Sequence, residues 1–185
     1  YIIKEMCDFR VAVIGQAFPY VPIAHPKRFV PDCTFGIRED ELQKVVNQLR
    51  QTEKVDAVVL LSHNGMDVDL KLASRVTGID IILGGHTHDA VPQPLSVSNA
   101  SGKTLVSNAG SNGKFLGVID LELRKGGVKD MRYRLLPVFS HKLKADFEMN
   151  ALIERVRAPH ARVLDESLST ANRLLYRRGN FNGTM

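Results

Sequence analysis

Tryptophan is absent from this 185-residue chain, cysteine occurs twice, and aromatic residues make up only 6% of it. Two cysteines, Cys7 and Cys33, are too few for a disulfide scaffold and lack the Cys-x-x-Cys spacing of redox or zinc motifs. They can pair once or stay reduced, so they do not fix a compartment. The sparse aromatics argue against a surface that stacks single-stranded bases. No apolar run approaches the roughly 18–20 residues of a membrane-spanning helix, and no basic-then-apolar signal segment opens the chain.

What is present is a globular composition, 44% hydrophobic with 14 Gly and 8 Pro, enough for one domain or one domain with a piece of a second. Residues 1–123 carry 12 basic and 14 acidic side chains (−2) and residues 124–185 carry 13 and 6 (+7), which together give the net charge of +5. A basic second half suits anionic partners. Here the charges are spread among apolar residues, the pattern of a solvated face rather than of a nucleic-acid site. The chain opens at Tyr1 without an initiator methionine and stops just past the turn-rich Gly179-Asn180-Phe181-Asn182-Gly183, so a fragment of a longer protein is expected.

Val11-Ala12-Val13-Ile14, closed by Gly15, reads as a buried strand. A long loop follows, because Pro19, Pro22, Pro26 and Pro31 cannot donate to a ladder or a helix. Leu42, Val45, Val46 and Leu49 have the i, i+3, i+4, i+7 spacing of an amphipathic helix, with Glu39, Asp40 and Glu41 at its positive end. Val55 to Leu61 predicts a second strand. Val68, Leu72 and Val76 mark a second helix stopped near Gly78, and Ile79 to Leu83 predicts a third strand ended by Gly84-Gly85. Strands alternating with helices predict an α/β fold whose parallel sheet is covered on both faces. Later, Leu116, Val118, Leu121 and Leu123, a Gly126-Gly127 turn, then Met131, Tyr133 and Leu135 predict an antiparallel edge hairpin. Helices are expected over Asp146 to Ala158 and over Arg162 to Leu175.

Three of the six histidines stand where chemistry is expected. His63 directly follows the second strand, and His86 and His88 follow the third. Ligands of an open parallel sheet bind beyond the carboxyl ends of its strands. If the two strands are neighbours, three imidazoles emerge at one rim, and alternation in an extended segment would aim His86 and His88 the same way. Imidazole is the commonest neutral metal ligand, so this joint placement favours a metal site over three unrelated surface histidines. His25, His141 and His160 read as surface residues. Ser62 lacks the Gly-x-Ser-x-Gly setting of a nucleophile and reads as a turn or cap residue. Asp67 and Asp69 suit a helix start, and Asp89 suits orienting a ligating imidazole. An obvious carboxylate ligand set is missing.

These motifs, Ser62-His63-Asn64-Gly65 and Gly84-Gly85-His86-Thr87-His88, resemble those of the two-domain metallophosphoesterases of the 5′-nucleotidase type. Within them the chain looks most like the SoxB thiosulfohydrolase family. The segments that carry this likeness are Gly15 to Tyr20, Ser62 to Asp69, Asn108 to Gly117 and Leu174 to Thr184. The resemblance implies a partial metallophosphoesterase domain. Its catalytic half would span 1–140, a helical interdomain connector 141–178, and the start of a substrate domain 179–185. It also implies a periplasmic enzyme with two divalent ions, usually manganese, His63 and His86 on one and His88 on the other. Asn64 and Asp89 are supporting candidates. Such an enzyme releases sulfate from a thiosulfonate on the cysteine of a sulfur-carrier protein. The family's Asp-x-His, Gly-Asp and Gly-Asn-His-Glu motifs do not occur here, so no catalytic acid or base is assigned and this piece alone is expected to be inactive. Three readings stand beside it: a nucleotidase, whose second domain would stack the base on aromatics, a binding module holding one structural metal, and a nucleic-acid binder.

Overall fold

The computed structural model describes residues 1–173, which fall into two compact units, residues 1–139 and residues from 140 onward. In the first, β1 (Ile2–Met6), β2 (Phe9–Gln16), β3 (Ala57–Ser62), β4 (Ile81–Gly84), β5 (Leu95–Asn99) and β6 (Gly102–Asn108) form one sheet in the order β1-β2-β3-β4-β6-β5. The inner pairs β2–β3, β3–β4 and β4–β6 are parallel, and the outer pairs β1–β2 and β5–β6 antiparallel. The parallel centre and the α/β class agree with the sequence pattern. The strands at Ile2–Met6, Leu95–Asn99 and Gly102–Asn108 do not stand out in it, because each is short and mixes apolar with polar residues.

Between β2 and β3 the chain runs through two short turns, α1 (Val21–Ala24) and a 3-10 turn at Lys27–Phe29, into α2 (Glu39–Gln51). The predicted stripe is the packed face of α2: Leu42, Val46 and Leu49 are buried and Val45 packs against them. Next, α3 (Met66–Arg75) buries Leu72 and Ala73. Both helices meet one cluster with Ala12, Ile14, Val58, Leu60, Ile82 and Val106. Those strand residues share one face, since ladder partners Ile14–Leu60, Leu60–Ile82 and Ile82–Val106 stand side by side.

α2 and α3 both lie on this one face, so the cover expected on the other face comes from neither helix. Strand order advances from β2 to β4 without reversing, and right-handed crossovers then place consecutive helices on one side. On the opposite face Val11, Ala57 and Ile81 are buried, Val13, Val59 and Leu83 are half-buried and Leu61 is exposed. One step beyond the apolar row, the helix-covered face turns polar. Gln16 pairs with Ser62, and Gly84 pairs with Asn108.

The expected antiparallel hairpin forms as β7 (Phe115–Arg124) and β8 (Gly127–Pro137), a two-stranded sheet of its own rather than an edge of the six-stranded one, with a register shift at Glu122/Leu123. In the second unit α4 (Phe147–Arg157) is capped by Asp146, whose side chain accepts from the Met149 N–H at 2.8 Å. The helix expected over Arg162 to Leu175 shrinks to one turn, α5 (Ala161–Leu164), and residues 165–173 are irregular. Asp165, Ser167, Ser169 and Thr170 explain the stop, since such side chains compete for backbone groups and favour turns. Leu174, Leu175 and the expected start of a second domain near Asn180 lie outside the described residues.

Arg50 closes the lower end of the sheet. Its guanidinium donates to the carbonyls of Gly78 (3.0 Å), Val55 (3.3 Å) and Asp56 (3.1 Å) and to Asp80 Oδ2 (2.5 Å), which also accepts from the Val58 N–H at 2.6 Å. Burial raises the Asp80 carboxyl above its usual range, and Arg50 opposes that rise. A raised folded-state value means the native protein holds the proton more tightly, so this group's contribution to stability falls as pH rises through that value.

Two expectations follow for chemical denaturation. Leu60→Ala, at a fully buried centre of the apolar row, lowers stability by about 2–5 kcal/mol, read as a lower urea midpoint at unchanged slope. Arg50→Leu leaves Asp80 without its cation and lowers stability by roughly 1–3 kcal/mol at neutral to alkaline pH, with a smaller deficit as the pH is lowered, because burial favours the neutral carboxyl. A deficit that does not grow with pH contradicts this account of Asp80.

Candidate functional site

β3 and β4 are adjacent and parallel, so the segments leaving their carboxyl ends start side by side. His63 follows β3 and its N–H donates to the Gln16 carbonyl at 3.0 Å. His86 and His88 follow Gly84, and all three imidazoles are exposed. The structure brings two of them together: the rings of His63 and His86 lie 5.3 Å apart, inclined at 67°. Among the described residues no ring pairing joins His88 to either.

The loop after β4 is not extended, which corrects the alternation argument. His86 and His88 both take left-handed backbone angles, φ +72° and +60°, and the Thr87 N–H donates to the Gly85 carbonyl at 3.0 Å. Left-handed backbone costs a non-glycine residue roughly 1–2 kcal/mol. Contacts on both sides hold the loop in that form. Thr87 Oγ1 accepts from the Met66 N–H at 3.1 Å, tying this loop to the one that carries His63, and donates to Asp89 Oδ2. Asp89 thus engages the loop through a hydroxyl.

Phe18 completes the rim. Its ring stacks on His86 (4.0 Å, 24°) and meets His63 edge-on (6.2 Å, 86°), while Tyr20 packs edge-on against Phe18 at 5.6 Å. Such contacts are worth about 0.5–1.5 kcal/mol and fix ring planes. In the sequence Phe18 is one aromatic in a proline-rich loop, and nothing local marks it as a neighbour of His86.

Beneath the rim lies a buried polar network. Asp69 is fully buried on α3, and its Oδ1 accepts from Ser62 Oγ at 2.5 Å and from Asn64 Nδ2 at 3.2 Å. Asn64 Nδ2 also donates to Gln16 Oε1 at 3.0 Å, and Gln16 Nε2 donates to the Ile37 carbonyl. Ser62 Oγ accepts from the Asn64 N–H at 3.1 Å, the turn role its setting suggests. Burial raises the Asp69 carboxyl above its ordinary range, while the bonds from Ser62 and Asn64 pull the other way. Asp69 is deeper than a helix-start residue. The missed signal was its spacing: Asp69, Leu72, Ala73 and Val76 stand at i, i+3, i+4 and i+7, a carboxylate on an apolar stripe.

As a metal site the residues fit in part. Two imidazoles on one ion, with metal–nitrogen distances of about 2.1 Å, have ring centres roughly 5 Å apart, which the His63–His86 separation of 5.3 Å matches. Among the described residues, no three His, Cys, Asp or Glu side chains come together as a metal-holding group. The chain therefore presents two converging imidazoles and a third on the same loop, backed by buried hydrogen bonds and one stacked aromatic.

No family model matches the chain. Among solved structures, the Thermus thermophilus sulfate thiohydrolase SoxB superposes with a TM-score of 0.81 at 41% identity, covering 88% of this chain and 29% of that one. A 5′-nucleotidase precursor, also of Thermus thermophilus, superposes with a TM-score of 0.78 at 27% identity, covering 90% of this chain and 35% of that one. The trifunctional nucleotide phosphoesterase YfkN of Bacillus subtilis is 37% identical over 145 residues, 76% of this chain and 10% of that protein. The chain thus spans about a third or less of the length of these relatives. The superpositions and these identities give one conclusion: the chain belongs to the 5′-nucleotidase-type metallophosphoesterases.

Proposed function

We propose that the full-length protein is a dinuclear-metal hydrolase of the thiosulfohydrolase kind, releasing sulfate from a thiosulfonate on the cysteine of a sulfur-carrier protein. The observation that carries this reading is the 41% identity to SoxB over 88% of the chain, against 27% to the 5′-nucleotidase precursor. His63 and His86 would hold one divalent ion and His88 the other, with manganese as the proposed metal and the periplasm as the proposed compartment. Bound there, such ions would supply an activated water and offset charge on the sulfonate oxygens.

The chain's own residues orient this chemistry. Phe18 stacked on His86 limits rotation of that imidazole, so a nitrogen keeps one direction without repeated entropy loss. Asn64, bonded to Gln16 and Asp69, fixes the turn that aims His63. Asp89 acts on the His86–His88 loop through Thr87 Oγ1. Supporting bonds of this kind matter because losing a bond that orients a ligand typically lowers metal affinity about 10- to 100-fold. No residue of this chain is assigned as proton donor or acceptor for the reaction, and the 185-residue segment alone is expected to release neither sulfate nor phosphate. No helix of the described residues is long and apolar enough to cross a membrane.

Hydrolysis of nucleotide phosphate esters is the second reading, favoured by the 37% identity to YfkN. One comparison separates the two. The full-length protein, loaded with manganese, is offered thiosulfonate-charged carrier or a nucleotide, as wild type and as His86→Ala. Sulfate release that falls on the order of 100-fold or more in the variant is expected. Phosphate release without sulfate release moves the protein to the second reading, and activity unaffected by His86→Ala removes the metal role from this rim.

A further inference from the structure

Among the described residues three buried side-chain atoms have no hydrogen-bond partner, Asn64 Oδ1, Asp69 Oδ2 and Asn108 Nδ2, and the last two complement one another. Asp69 Oδ2 is an acceptor and Asn108 Nδ2 a donor, on side chains exposed by 0% and 2%. A buried group left unpaired forfeits the hydrogen bond that water would give it. The fold brings both side chains to one place. Asn108 is the ladder partner of Gly84 and, in step with buried Val106, faces the helices. A Cβ on Gly84 would lie 2.7 Å from Asp69 Oδ2, 3.3 Å from the Ser107 carbonyl and 3.9 Å from Asn108 Cβ. The missing side chain at Gly84 leaves a small polar gap, bordered by Asp69 on one side and Asn108 on the other.

Each of these two residues also governs one of the histidine-bearing loops. Asp69 holds Ser62 and Asn64, which flank His63. Asn108 anchors the far end of the loop carrying His86 and His88: its carbonyl accepts from the Val91 N–H at 2.9 Å, and its Oδ1 accepts from the Gly110 N–H at 3.2 Å. The Gly110 N–H in turn donates to the Asp89 carbonyl at 2.8 Å. We propose that Asp69 and Asn108 are positioning residues that pair across the gap at Gly84, directly or through one water, and so lock the His63 loop to the His86–His88 loop. The pairing joins the two sides of the rim from below, as Thr87 Oγ1 joins them from the loops themselves.

A reciprocal exchange tests the pairing with almost no change in volume. Asp69→Asn alone sets two amide donors against each other, and Asn108→Asp alone sets two carboxylates against each other. The double exchange restores one donor and one acceptor, and keeps an oxygen for Ser62, Asn64 and Gly110. In the metal-free full-length protein, the imidazole nitrogen resonances of His63 and His86 are expected to shift in each single variant and return in the double. Manganese affinity is expected to fall 10- to 100-fold in the single variants and to recover to within about threefold in the double. Single variants that melt earlier yet keep wild-type imidazole resonances and affinity overturn the proposal, as does a double variant that fails to recover. If one single variant does not fold, a folded double with wild-type resonances still supports the pairing, and an unfolded double overturns it. The affinity readout alone rests on the metal role proposed above. If wild type binds no manganese, that role fails and the imidazole resonances decide the pairing.

Discussion

A carboxylate sealed from water must have its hydrogen bonds supplied by the protein, and Asp69 is such a carboxylate. Much of the upper end of the sheet is arranged around that requirement. Ser62 and Asn64 give it donors, Gln16 holds Asn64 in place, and residue 84 carries no side chain because any would strike the carboxylate. The row below is entirely apolar, from Ile14 through Leu60 and Ile82 to Val106. Two residues further along the same four parallel strands the face turns polar, while Ser62 and Asn108 stay buried. That switch fixes the register of the strand ends and hence the starting points of the histidine loops.

The rim itself is built from conformations that no local preference would choose. His86 and His88 hold left-handed backbone angles, and Phe18 reaches in from a loop with little regular structure. They persist because neighbours over-determine them: a stacked ring on one side, Thr87 bridged to Met66 on the other, and a rigid sheet below. Precision at the surface is thus borrowed from the packed layer underneath.

The long-period features were legible in the sequence. The stripe Leu42-Val45-Val46-Leu49, the apolar runs of β2 and β3 and the Gly126-Gly127 turn each signal through local spacing alone. Histidines placed directly after two strands also spoke early, since strand ends are where parallel sheets bind ligands. What stayed hidden depends on register or on contacts distant in sequence. Gln16 stands beside Ser62 only once β2 and β3 are paired. Phe18 meets His86 across 68 positions of chain, and the one-sided placement of α2 and α3 follows from strand order. Asp69 was visible as a polar residue on an apolar stripe, but its partners were not.

The left-handed histidines carry a consequence for how this surface can change over time. Glycine or asparagine at position 86 or 88 would relieve backbone strain and steady the loop, while removing an imidazole. A search for sturdier variants would therefore reward the very replacements that erase the rim's chemistry. At these two positions thermal robustness and function pull in opposite directions, and histidine persists only where selection reads the chemistry.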